Sequence, residues 1–178
     1  SSWALPPVHL ICVSIYILKY SDTSGKISYK KCDNSKNEIL LAYSHNDYQF
    51  PGGHVEENET LIQAINREVL EETGIELNII NIEPFACATG YYKDWPVEGK
   101  NRKVEIYYYG VKTDEKPNLE KTNYTENEKD GNFELRYIPL SKVENVIKTN
   151  ALKYGDKKGI TNEMIKLLKI FKTTKLVI

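Results

Sequence analysis

The sequence predicts an α/β layered domain, in which strands come before, between and after helices. Two observations support this class. Runs of β-branched and aromatic residues alternate along the chain with segments whose apolar residues recur at helical spacing. A chain of 178 residues is also long enough to bury roughly 70% of the surface that its unfolded form exposes. Because no repeat or change in composition divides the chain, we expect one domain over residues 1–178.

Six extended segments are predicted from β-branched and aromatic runs. They are 9–18, 38–43, 48–50, 76–90 with a break near Pro84, 102–113 and 133–138. The first run is apolar almost throughout, which is typical of a mostly buried strand. Pro51, Gly52 and Gly53 are expected to end the third strand. Residues 27–29 are a candidate extension of the sheet, and the polar segment 114–132 is predicted to be a surface loop.

Three helices are predicted from capping signals and apolar periodicity. The helix over 60–73 has capping-box spacing between Thr60 and Gln63, and Gly74 supplies a C-terminal stop. A short helix is predicted to open with a second capping box at Ser141. The last helix, over about 161–171, should dock on the sheet through apolar residues at helical spacing. These are Ile160, Met164, Leu167, Leu168 and Phe171.

Composition excludes several classes of function. Lys and Arg total 24 against 25 for Asp and Glu, so no global field attracts a nucleic-acid polymer or an acidic membrane. Cys12, Cys32 and Cys87 form no Cys-x-x-Cys pair, which argues against a disulfide framework or a zinc site. The apolar run over 8–18 is short for a bilayer of about 30 Å and lacks a basic leader. We therefore expect a cytoplasmic protein whose oligomeric state is open, a homodimer included.

Three carboxylates share one face of the first predicted helix. At about 100° per residue, Glu68, Glu71 and Glu72 fall within about a quarter of a turn. Like charges at this spacing destabilise an isolated helix by roughly 0.2–0.5 kcal/mol per pair, so the cluster needs compensation. A bound cation would supply it, and oxygen-only ligands select a hard ion such as Mg²⁺, for which Mn²⁺ can substitute.

The residues around these carboxylates resemble the Nudix box at every fixed position. The pattern is Gly53, five residues, Glu59, seven residues, Arg67-Glu68-Val69, one residue, Glu71-Glu72, one residue, Gly74 and Ile75. The resemblance implies the Nudix fold, an α/β/α sandwich around a mixed β-sheet. It also implies an enzyme, a Mg²⁺-dependent pyrophosphohydrolase that cleaves a nucleoside diphosphate linked to another moiety.

The resemblance further implies roles for individual residues. Glu68, Glu71 and Glu72 would bind metal, with the Gly53 carbonyl as a further ligand. Arg67 and Glu59 would pair and brace the loop against the helix. Glu56 and Glu57 lie in the same loop and are weaker candidates for a second metal. In some relatives the general base comes from the box and in others from a later loop, where Glu126 and Glu128 are the candidates here.

The substrate is less sharply defined. Tyr91, Tyr92 and Trp95 are candidates to stack on a nucleobase, because aromatic side chains offer flat apolar faces. A nucleoside triphosphate or related nucleotide is expected, with a dinucleoside polyphosphate or an ADP-ribose-like nucleotide sugar as alternatives. Two other classes stay open. One is a catalytically silent nucleotide-binding or regulatory module, although intact carboxylates argue against it, and the other is a partner-binding protein that uses a tyrosine-rich sheet.

Overall fold

The longest strand, β1 (Val8–Tyr20), lies in the middle of a mixed sheet in the computed structural model, which describes residues 7–20, 37–156 and 159–174. The other strands are β2 (Asn37–Ser44), β3 (Asp47–Gln49), β4 (Gly52–His54), β5 (Ala86–Tyr92), β6 (Arg102–Lys112) and β7 (Glu134–Pro139). The helices are α1 (Leu61–Thr73), α2 (Glu126–Asp130), α3 (Val143–Tyr154) and α4 (Thr161–Thr173). The candidate extension over 27–29 lies outside the described residues, as does Cys32.

The two edges of β1 are used differently. One edge pairs with β6 in parallel along most of its length. The other edge is shared between two antiparallel partners, β4 at Cys12 to Ser14 and β2 at Ile17 to Tyr20. Beyond its pairing with β1, β2 pairs with β3, so the β3–β4 segment lies where β1 and β2 separate. This arrangement brings the glycines of β4 into the sheet, next to β1.

Alternate residues of β1 pack against helices on opposite faces of the sheet. Ile15 and Ile17 belong to a core with α1, whereas Tyr16 and Leu18 belong to a second core with α3 and α4. Burial on both faces explains why the run is apolar almost throughout. The predicted α/β/α sandwich around a mixed sheet is therefore confirmed, and so is the docking of the last helix. None of the helices in the described ranges combines the length and hydropathy required to cross a bilayer.

The predicted capping of α1 is confirmed, whereas that of α3 is wrong. Thr60 and Gln63 exchange both capping-box hydrogen bonds, and Gly74 ends α1 in the left-handed region with φ 71°. No side chain caps the start of α3, whose N-cap residue is Lys142 and not Ser141. A turn precedes the helix, in which the Lys142 N–H donates to the carbonyl of Pro139 at 2.8 Å. Ser141 lies inside this turn, so α3 begins after it, at Val143.

Two predicted segments differ from the structure. The segment over 114–132 is not a plain loop, because it contains a 3₁₀ turn (Leu119–Lys121) and α2. Within 76–90 the strand begins at Ala86, and the preceding residues are held instead by the Asn66 side chain, which bonds the backbone N–H and carbonyl of Ile79. The third strand does end before Pro51, as predicted, and a separate strand, β4, begins at Gly52 and pairs with β1 instead of β2. A Cβ on Gly52 would lie 2.1 Å from the Val13 carbonyl oxygen, so glycine permits this close pairing.

Candidate active site

A cleft of about 800 Å³ opens between the C-terminal half of α1, the β2–β3 hairpin and α2. Histidines aside, the charged side chains among the described residues that line it are six carboxylates and one guanidinium. They are Asp47, Glu56, Glu68, Glu71, Glu72, Glu128 and Arg67. All three carboxylates predicted from the helix face therefore meet in one cleft, which carries a large excess of negative charge.

The guanidinium of Arg67 is fully engaged with protein groups. Its Nε and Nη2 donate to the two oxygens of Glu59 at 2.7 and 2.9 Å, and Nη2 also donates to the His54 carbonyl at 2.9 Å. Its Nη1 donates to Glu68 at 2.7 Å and to Glu71 at 3.2 Å. These bonds hold the pKa of Glu59 below its usual range. The ion pair expected between Arg67 and Glu59 is thus present, and it ties the loop before α1 to the helix.

Glu72 is the most deeply placed of the three helix carboxylates. Its Oε2 accepts a hydrogen bond from the Gly52 N–H at 3.1 Å. Burial, helped by the nearby charges of Glu68 and Glu128, raises the pKa of Glu72 to about 9. Burial also raises the pKa of Glu68. In the absence of a cation, a pKa of about 9 leaves Glu72 protonated at neutral pH, because burial disfavours its charged form.

The donor set fits a hard divalent cation, although no chelating cluster is formed in advance. Across the described residues, no three His, Cys, Asp or Glu side chains converge at metal-binding distance. Glu68 and Glu71 instead both contact Arg67. A cation would therefore share or displace these contacts. Gly53 allows the close approach on which such a site depends, since a Cβ there would lie 2.5 Å from the Oε1 atom of Glu68.

The structure separates the two candidates for a general base. Glu128 lines the cleft, and its carboxylate lies within hydrogen-bonding reach of Glu72. Glu126 pairs with Lys129 at 2.9 Å, its side chain is 89% exposed, and it does not line the cleft. In the same way, Glu56 lines the cleft and Glu57 does not.

The aromatic candidates lie outside the cleft. Tyr91 and Tyr92 end β5, and consecutive strand residues point to opposite faces, so the two rings do not share a face. Tyr92 instead packs near Trp95, with ring centroids 5.5 Å apart, and the Arg102 guanidinium lies 5.2 Å from the Trp95 ring centroid. All three aromatic side chains are exposed. Tyr92, Trp95 and Arg102 form a surface group that we call the hairpin-tip cluster.

Sequence analysis did not single out several polar residues of the cleft, because they lie outside the box. They are Ser44, His45, Asp47, Gln49, Asn123, Thr125 and Asn127. Two signals for them were present. Thr125 and Glu128 have the capping-box spacing that defines the start of α2. Asp47 and Gln49 flank the buried Tyr48, so their alternation placed both side chains on the face opposite that ring.

Comparison with known proteins identifies the family. Residues 32–158 match the family model described as NUDIX domain, which is more than half of the chain, and the protein belongs to this family. An 8-oxo-dGTP diphosphatase of Buchnera aphidicola subsp. Acyrthosiphon pisum is 46% identical over 78 residues, which are 42% of this chain and 56% of that protein. An RNA pyrophosphohydrolase of Pasteurella multocida is 41% identical over 51 residues, or 28% of this chain and 26% of that protein. The chain thus spans about half the length of the diphosphatase it matches.

Solved structures share the fold at low sequence identity. A C. elegans Ap4A hydrolase in a binary complex aligns with a TM-score of 0.50 and 20% identity, covering 92% of this chain and 95% of that one. The MutT protein of Methanosarcina mazei Go1 aligns with a TM-score of 0.50 and 19% identity, covering 79% and 84%. At these identities the likeness establishes the architecture alone.

Proposed function

We propose that this protein is a divalent-metal-dependent pyrophosphohydrolase that cleaves a nucleoside diphosphate linked to another moiety. Mg²⁺ is the expected cofactor, and Mn²⁺ can substitute. The observation that carries the proposal is the cleft, in which the box carboxylates Glu68, Glu71 and Glu72 line one wall.

The charge of the cleft supports a metal-dependent reaction. A polyphosphate carries several negative charges, and the cleft adds six carboxylates. Arg67 neutralises little of this negative charge for a substrate, because its N–H groups already donate to protein oxygens. These belong to Glu59, Glu68, Glu71 and the His54 carbonyl. An anionic substrate therefore enters this cleft together with multivalent cations or does not enter it.

Each named residue then has a distinct task. Glu68, Glu71 and Glu72 would hold the cations, with the Gly53 carbonyl as a further ligand. When bound, divalent cations offset charge on the phosphate oxygens and help to align the attacking water. Glu128 is our candidate to accept the proton of that water, because it reaches Glu72 from α2. Arg67 and Glu59 keep the glycine-containing loop against α1.

A nucleoside triphosphate is the proposed substrate class. The name of the 8-oxo-dGTP diphosphatase relative supports a purine nucleotide, oxidised forms included. Dinucleoside polyphosphates and ADP-ribose-like nucleotide sugars are alternatives, and all of them contain the phosphoanhydride that the mechanism requires. A panel of these compounds with Mg²⁺, followed by separation of the products, distinguishes the classes. Release of pyrophosphate and a mononucleotide is the result expected for a triphosphate.

The test of the reaction is Glu72→Gln, with Glu83→Gln as a matched control. Glu83 is exposed and lies outside the cleft. Glu72→Gln should lower kcat by orders of magnitude because it removes a carboxylate that holds the cation, whereas Glu83→Gln should leave kcat unchanged. Tight nucleotide binding without turnover by the wild type would favour the regulatory module instead.

A further inference from the structure

The connection between β6 and β7 is tied to the rest of the protein on both sides of α2. Before α2, the backbone N–H of Asn118 donates to the Thr73 carbonyl at 3.0 Å, and that of Asn123 donates to the Glu71 carbonyl at 2.8 Å. After α2, the Gly131 carbonyl accepts from the His45 N–H at 3.1 Å. The ends of the α2 segment are therefore anchored to α1 and to the β2–β3 turn, on two sides of the cleft.

Within this frame, α2 itself is a weak element. It has five residues, none of them buried, and isolated helices shorter than about 12–15 residues are marginal in water. Capping therefore contributes much of its local order. Thr125 supplies this capping, because its hydroxyl accepts from the Glu128 N–H at 3.4 Å.

Thr125 also holds the carboxylate of Glu128. The Oε2 atom of Glu128 accepts from the Thr125 N–H at 2.6 Å and from its hydroxyl at 2.8 Å. Glu128 lines the cleft, and its carboxylate lies within hydrogen-bonding reach of Glu72. Two donors to one oxygen restrict the rotation of that carboxylate, because both hydrogen bonds must break before it can turn toward solvent.

We propose that Thr125 is a positioning residue, whose hydroxyl keeps the Glu128 carboxylate directed at Glu72 and the reacting water. The inference rests on the proposed function, in which Glu128 accepts the proton of that water. Replacement of the hydroxyl by a methyl group leaves the backbone N–H as the remaining Thr125 donor to Oε2. The carboxylate then rotates away from Glu72, and proton transfer slows while the metal carboxylates on α1 stay in place.

The experiment compares Thr125→Val, which is isosteric but lacks the hydroxyl, with Thr125→Ser, which keeps it. Thr122→Val is the matched control, since the Thr122 hydroxyl bonds the Leu119 carbonyl in the same connection. Thr125→Val should lower kcat by about tenfold or more, within the range of about 10²–10⁴ for loss of a general base. KM and Mn²⁺ affinity should be unchanged. Thr125→Ser and Thr122→Val should stay within about twofold of the wild-type kcat, since neither alters the base.

A double-mutant cycle separates positioning from a general loss of structure. If Thr125 acts through Glu128, Thr125→Val has no further effect on kcat in a Glu128→Gln background. Additive losses in the double variant, or equal losses from Thr125→Val and Thr122→Val, would overturn the proposal.

Crystal structures of the wild type and Thr125→Val provide a readout that does not depend on turnover. The Glu128 carboxylate should face Glu72 in the wild type and turn away in the variant. An unchanged orientation would overturn the positioning role. Absence of wild-type turnover would overturn the proposed function instead, so the two failures are distinguishable.

Discussion

Arg67 shows how one side chain organises the acidic cleft. Its planar guanidinium offers five N–H donors in a fixed geometry, whereas a lysine ammonium is a point charge with three. Here the guanidinium spans Glu59, Glu68 and Glu71 and also reaches a backbone carbonyl. The same residue therefore joins the loop to the helix and sets the positions of two proposed metal ligands.

Arg67→Lys should lower both stability and activity, although it keeps the positive charge. The ammonium cannot reproduce the paired bonds to Glu59 at 2.7 and 2.9 Å. We expect a loss of about 1–2 kcal/mol in the free energy of unfolding, a value reduced for solvent screening of the partly exposed pair, together with a clear fall in kcat. Denaturant unfolding and Mg²⁺-dependent turnover measure the two effects. Arg136→Lys on β7 is the control, because Arg136 lies outside the cleft and should alter stability alone.

The hairpin-tip cluster is tested by Tyr92→Ala and Trp95→Ala. If these rings stack on a nucleobase, each variant should weaken substrate binding by about 1–3 kcal/mol and raise KM, with kcat little changed. Tyr91→Ala is the matched control, because Tyr91 points to the opposite face of β5. Unchanged KM values for Tyr92→Ala and Trp95→Ala would remove the cluster from the substrate site.

At the scale of elements, the end of α1 and the connection after β6 are built against each other. Gly74 ends α1 with φ 71°, and a Cβ there would lie 1.8 Å from the Asn118 carbonyl oxygen. The glycine of the box therefore serves two purposes. It allows the left-handed helix end, and it leaves room for the backbone that leads to α2 and Glu128.

Gly74→Ala should destabilise the protein more than Gly155→Ala. Both glycines follow helices at positive φ, 71° and 87°, but a Cβ on Gly155 would meet no atom of the described residues within 4 Å. Gly155→Ala should therefore lower the free energy of unfolding by the backbone strain alone, about 1–3 kcal/mol. Gly74→Ala adds a clash with backbone that cannot rotate away. Chemical unfolding of both variants measures the difference, and equal losses would show that the contact with Asn118 is unimportant.

At the scale of the whole molecule, two apolar cores stabilise the sheet. The cleft beside it places several carboxyl groups close together. The cores contain buried apolar residues of β1 on both faces. The cleft contains Glu68 and Glu72, whose pKa values are raised by burial. Stability supplied by packing thus offsets the cost of burying these carboxyl groups without a bound cation.

Thermal unfolding should detect the cost of burying the Glu72 carboxyl group. At neutral pH, metal-free Glu72→Gln should unfold at a higher temperature than the metal-free wild type, because burial makes Glu72 take up a proton on folding and glutamine does not carry that cost. For a domain of this size, about 1 kcal/mol corresponds to about 2–4 °C in Tm, and we expect a rise of at least that order. Mg²⁺ or Mn²⁺ should raise the Tm of the wild type and have little effect on the variant. A larger metal-induced shift in Glu72→Gln would contradict the assignment of Glu72 as a ligand.

Features that depend on neighbouring residues were predictable from sequence. The apolar run of β1 indicated a mostly buried strand, and Thr60 and Gly74 marked the ends of α1. The convergence of Glu68, Glu71 and Glu72 on one helix face followed from helical periodicity alone. The physical reason is that local geometry, repeated every few residues, determines each of these patterns.

Tertiary structure decided which distant residues join that face. Glu128 and Asp47 reach the cleft because the β6–β7 connection is anchored to α1 and because β3 lies where β1 and β2 separate. The distinction between Glu128 and Glu126 likewise depends on the position of α2. Such contacts join parts of the chain far apart in sequence, so they are set by strand pairing and packing, which no local periodicity records.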